Sequence, residues 1–79
     1  MRHTVPMPKL GDTDDGALVL EWLVAVGDAV EEGAPLFTVE TSKIETEVTA
    51  PVAGTLAEQV VAPDDEVATG APVAVIESA

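Results

Sequence analysis

The chain reads as an all-β protein, a sandwich or barrel assembled from two similar halves. Three observations predict this: five short runs rich in β-branched and apolar residues, turn formers between them, and a long internal match between the halves. Its 79 residues are expected to make one small domain over 1–79 with loose terminal residues, since surface-to-volume scaling leaves little interior for a second.

The runs are ALVLEWLV at 17–24, APLFTVET at 34–41, IETEV at 44–48, GTLAEQVV at 54–61 and APVAVIE at 71–77. In the first, Leu18, Leu20, Trp22 and Val24 share a face at period two, and Gly27 would interrupt a longer helix, so a strand is expected. Trp22 is expected to anchor the core, with Phe37 the only other aromatic, and Met7 reads as packing too.

The internal match is the strongest signal. DAVEEGAPLFTVE at 28–40 repeats as DEVATGAPVAVIE at 65–77, an offset of 37. Upstream, an offset of 38 pairs Gly16 with Gly54 and Leu18 with Leu56, implying one residue of slippage in the turn between. Two β units that each expose an apolar side would cover one another face to face, with approximate two-fold symmetry. Gly33-Ala34-Pro35 and Gly70-Ala71-Pro72 then form equivalent corners that lead into strands.

Between the matched halves, LFTVE runs in and ETEV runs out, leaving Ser42 and Lys43 for a hairpin tip. The tip lacks an Asn-Gly or Asp-Gly pair, so Thr41 or Ile44 is expected partly outside the ladder. This arrangement sends the Lys43 amine into solvent. Such a lysine is ordinarily a solubility device or an edge guard. Lys9 is the only other lysine, however, and a rigid tip also suits a modifying enzyme that needs access without unfolding. Glu40, Glu45 and Glu47 surround the approach with negative charge, either as solvated edge residues or as a means of steering a basic partner.

Composition excludes several classes of function. Three basic against fifteen acidic side chains give a net charge of −12, which repels nucleic acid and anionic membrane surfaces. With no cysteine there is no disulfide framework and no thiolate zinc site. His3 alone, near an end expected to be frayed, supplies neither a histidine-rich metal site nor a serine-type triad. No apolar run approaches the roughly 18 residues of a membrane span, and the opening MRHTVPMPKL has no signal-peptide hydrophobic segment. A soluble cytoplasmic protein is expected.

These residues together resemble the lipoyl domain of the acyltransferase components of 2-oxo acid dehydrogenase complexes, within the biotinyl/lipoyl attachment family. The likeness runs from VPMPKLG through LEWLVAVGDAVEEGAPLFTVETSKIETEVTAPVAGTL to VATGAPVAVIES. The family motif around its modified lysine is Glu-Thr-Asp-Lys followed by Ala, Val or Ile. Glu40, Thr41, Lys43 and Ile44 match it, and Ser42 stands where Asp is usual.

The resemblance implies a flattened barrel of two four-stranded antiparallel sheets, with the modified lysine at a hairpin tip and the termini at the opposite end. It implies (R)-lipoate covalently attached to Lys43, with Glu40, Thr41, Ser42, Ile44, Glu45 and Glu47 as the recognition surround. The domain would be a monomeric carrier in a bacterial cytoplasm and no catalyst itself. It would shuttle acyl groups and electrons among a thiamine-dependent 2-oxo acid dehydrogenase, an acyltransferase core and a flavin-dependent dihydrolipoamide dehydrogenase, after loading by a lipoate-attachment enzyme. The chain is expected to be a domain excised from a longer acyltransferase rather than a free-standing carrier.

Other readings compete. A biotin carrier shares the scaffold but usually places Met on both sides of its lysine, where this chain has Ser42 and Ile44. The glycine-cleavage carrier is ordinarily longer and has added helices. An unmodified binding domain of the same fold gains room from Ser42. Schiff-base catalysis by Lys43 would require a desolvated or positively charged pocket.

Overall fold

The computed structural model of the protein describes residues 1–8, 17–41 and 44–78. Among them the chain forms eight strands and no helix: β1 (Arg2–Pro6), β2 (Ala17–Trp22), β3 (Ala29–Val30), β4 (Pro35–Glu40), β5 (Glu45–Thr49), β6 (Gly54–Gln59), β7 (Glu66–Val67) and β8 (Pro72–Glu77). They make two four-stranded antiparallel sheets, ordered β1-β8-β6-β3 and β5-β4-β2-β7.

The inward faces of both sheets supply one core. Phe37, Met7, Leu36, Leu56, Ile76 and Val19 are among its fully buried side chains. Leu36 and Phe37 are neighbours in sequence, yet both are buried. The ladder shifts by one between Pro35 and Phe37, so the bulge at Leu36 interrupts the alternation that would expose one of them. No side-chain polar atom among the described residues is buried without a partner.

β2 is a strand as expected, but its face is inverted at the start. Ala17 and Val19 point into the core, whereas Leu18 and Leu20 are half-buried. A bulge at Leu20, where Val19 pairs with Val39 and Glu21 with Thr38, then shifts the alternation so that Trp22 comes opposite buried Phe37. Period-two counting carried Trp22's inward orientation back across the bulge to Leu18 and Leu20, and so assigned them the wrong side.

The repeat keeps a single offset of 37 and has no slippage. Val19 pairs with Val39 as Leu56 pairs with Ile76, and Glu21 with Thr38 as Glu58 with Val75. The equivalent of Leu56 is therefore Val19 rather than Leu18, and that of Gly54 is Ala17. Gly16, to which the sequence match pointed, lies outside the described residues. Both halves use the same turn: Asp28 accepts from the Ala25 N–H at 2.9 Å, and Asp65 from the Ala62 N–H at 2.9 Å. The residue before each aspartate has positive φ, Gly27 at 98° and Asp64 at 75°.

The first residues, expected to be frayed, are strand-paired from Arg2 onward with β8. Met1 donates its amino group to the Ser78 carbonyl and receives the Ser78 N–H on its own, both at 2.8 Å. His3 Nε2 lies 2.8 Å from Ser78 Oγ. The composition of β1 gave no warning of this partnership with the far end of the chain.

Chain path separates the ends of the molecule, whose extents are 36 × 18 × 17 Å. β3 lies against β6 where Ala29 pairs with Thr55, and Thr55 also pairs with Glu77 beside the termini. From β3 the chain enters β4 at Pro35 and runs away to Glu40. The β4–β5 hairpin therefore lies at the end opposite the termini.

Candidate functional site

β4 and β5 pair from Pro35↔Thr49 out to Glu40↔Glu45. Beyond the ladder, the Thr41 N–H donates to the Ile44 carbonyl at 2.8 Å, and the Ile44 N–H donates to Thr41 Oγ1 at 3.1 Å. Thr41 Oγ1 also lies 3.3 Å from the Ile44 carbonyl oxygen. Thr41 and Ile44 thus stand outside both strands, as the turn chemistry suggested, but they clasp the hairpin shut. Ser42 and Lys43, the two residues between them in sequence, lie outside the described residues.

The clasp has an internal counterpart. Thr41 N–H to Ile44 carbonyl repeats as Ser78 N–H to Met1 carbonyl, both at 2.8 Å. One half of the pseudo-symmetric body thus carries the hairpin where the other carries the two chain ends.

Charge breaks this symmetry. Glu40 pairs across the strands with Glu45, whereas the equivalent Glu77 pairs with Arg2 and lies 3.8 Å from its guanidinium. Arg2 also reaches Glu58 at 3.3 Å. Register places further carboxylates beside the hairpin: Leu18 is flanked by Glu40 on one side and Glu66 on the other. Glu47 pairs with Thr38, which pairs with Glu21. Glu21 and Glu66 went unnoticed in the sequence, although the signal was there once the Leu20 bulge set the register.

Of the predicted surround, Glu40, Glu45 and Glu47 are exposed, Thr41 is half-buried, and Ile44 is 45% exposed, an unusual position for a large β-branched side chain. A cleft of about 230 Å³ opens where edge strands β1 and β5 face each other, lined by Val5, Pro6, Pro8, Glu47, Val48, Thr49 and Pro51. Glu47 is its one ionisable side chain, so the lining holds no acid–base pair.

A family model described as biotin-requiring enzyme matches residues 3–76. The chain is 45% identical over 75 residues to the dihydrolipoyllysine-residue acetyltransferase component of the pyruvate dehydrogenase complex of Corynebacterium glutamicum, covering 95% of this chain and 11% of that protein. It is 40% identical to the corresponding component of the acetoin cleaving system of Pseudomonas putida, covering 94% of this chain and 20% of that protein. The chain thus spans about a tenth to a fifth of these relatives.

Among solved structures, the lipoyl domain of the 2-oxoglutarate dehydrogenase complex from Azotobacter vinelandii superposes with a TM-score of 0.68 at 25% identity, covering 99% of this chain and 98% of that one. A segment of a single-chain, multi-domain long-chain acyl-CoA carboxylase shares the fold with a TM-score of 0.79 at 23% identity, covering 99% of this chain and 7% of that one. The chain belongs to the biotinyl/lipoyl attachment family and, within it, is a lipoyl domain of the kind carried by the acyltransferase components of 2-oxo acid dehydrogenase complexes.

Proposed function

We propose that this chain carries (R)-lipoate in amide linkage on Lys43 and presents it to the enzymes of a 2-oxo acid dehydrogenase-type complex. The observation that carries the reading is the closed hairpin: a paired arm ends in the Thr41–Ile44 clasp, with only Ser42 and Lys43 between. When attached, lipoate supplies reversible disulfide and thioester chemistry that a chain without cysteine cannot.

The protein's own contribution is mechanical and electrostatic. A register-locked β arm costs a modifying enzyme little ordering, because the strands on either side of the tip are already paired. The glutamates around the hairpin favour partners with basic entrances, namely a lipoate-attachment enzyme, then the thiamine-dependent dehydrogenase, the acyltransferase core and the flavin-dependent dehydrogenase. No catalysis is assigned to the domain itself. The bacterial relatives support a cytoplasmic site of action, within a longer acyltransferase whose linker would let the domain visit successive active sites.

Biotin on Lys43 is the second reading, favoured by the breadth of the matching family and by the fold of the acyl-CoA carboxylase segment. Lys43→Arg tests the assignment, because guanidinium cannot form the amide. The variant should fold normally and lose acyl transfer in a reconstituted complex. Undiminished transfer by the folded variant would defeat it.

A further inference from the structure

We propose that the outer face of the β5-β4-β2-β7 sheet is a docking surface for a partner protein whose contact area has a small apolar centre ringed by lysine and arginine. That the partner is an enzyme serving the hairpin rests on the carrier role proposed above; the properties of the face do not.

The two sheets give an internal comparison, since related sequences build both. On the outward side of one, half-buried Leu18 lies between Glu40 and Glu66, with Glu45 beyond Glu40 in the same row. The next outward row runs Glu47, Thr38, Glu21. On the other sheet, Thr55 takes the place of Leu18, Ala29 that of Glu66, Arg2 that of Glu45 and Thr4 that of Glu47. Ala57, also at a bulge, replaces Leu20. One face is therefore leucine-centred and carries five carboxylates. Its twin has Thr55 and Val75 at the centre, Val75 standing where the first face has Thr38, and its glutamates are partnered by Arg2.

Fold does not demand the difference, because the twin sheet stands without it. Placing carboxylates directly opposite one another, as at Glu40 and Glu45, works against stability. A row of like charge around apolar groups matches the polar-rimmed, apolar-centred pattern of protein interfaces, and its complement is a basic rim. The face includes the two strands that carry the hairpin, so a partner seated there would hold Lys43 beside its own entrance.

The test uses the unmodified ¹⁵N-labelled chain, so that binding does not depend on the attached group. The probe is the thiamine-dependent dehydrogenase of the Corynebacterium glutamicum pyruvate dehydrogenase complex. At low salt its addition should broaden the amide signals of Leu18, Glu21, Glu40, Glu47 and Glu66 while sparing Arg2, Thr4, Thr55 and Glu58. The pair Glu21→Gln and Glu66→Gln, and separately Leu18→Thr, should each weaken binding about tenfold, a typical loss for interface positions. The matched pair Glu58→Gln and Glu77→Gln should leave it unchanged. Absence of binding, broadening centred on the twin sheet, or equal effects of the two glutamate pairs would overturn the docking face. Intact docking by a chain that is never lipoylated would instead defeat the carrier reading alone.

Discussion

The indole N–H of Trp22 donates to the Val61 carbonyl at 2.9 Å, and the bond recurs through the pseudo-two-fold as Gln59 Nε2 to the Val24 carbonyl at 2.9 Å. Each half thus pins the corner loop of the other. The two bonds differ in what surrounds them. Trp22 is half-buried, with its ring 4.5 Å from Phe37 between centroids, whereas Gln59 is exposed.

That contrast predicts unequal mutants. Trp22→Phe keeps ring burial but leaves the Val61 carbonyl without its donor, and should cost about 1–2 kcal/mol in urea unfolding. Gln59→Ala removes an exposed bond and should cost no more than about 0.5 kcal/mol.

Among the described glycines, Gly54 is the one with no room for a Cβ. A Cβ there would run into the Glu77 carbonyl oxygen and approach Ile76 Cγ2 at 2.9 Å. Gly54→Ala should therefore lower stability by about 1–3 kcal/mol, the range for overpacking. At Gly27, with φ of 98° and open space around it, alanine should cost about 1–2 kcal/mol through backbone strain alone. Thermal melts of both variants check the pair.

Glu45→Arg places opposite Glu40 the kind of partner that Glu77 has in Arg2. It should raise stability by about 0.2–1 kcal/mol, the value of an opposite-charge cross-strand pair. The same variant should slow lipoate attachment and dehydrogenase docking, most clearly at low salt. A gain in melting temperature accompanied by a drop in attachment rate is the expected signature of a residue retained for recognition.

Much of the fold was legible because two copies of one pattern had to cover each other. The Gly-Ala-Pro corners, the offset of 37 and the LFTVE and ETEV strands of the hairpin all stand in the structure as read. What was misread follows from bulges and brevity. One extra residue at Leu20 reverses the burial parity of β2, and the coincident identities of Gly16 with Gly54 and Leu18 with Leu56 gave the false offset of 38 upstream. β3 and β7 are two residues each, too short for any periodicity to register. β1 is set by pairing with β8, some seventy residues on, a contact invisible to local pattern. At the site, the motif residues could be picked out one by one from the sequence. Glu21 and Glu66, in contrast, join the hairpin glutamates only through strand register.

The account rests on what becomes of the Lys43 amine in a cell able to attach lipoate. Peptide mass spectrometry of protein from such cells should find a lipoyl increment on the peptide containing Lys43, and none on Lys43→Arg. A biotinyl increment, or an unmodified Lys43 alongside a fully lipoylated control carrier, would contradict it.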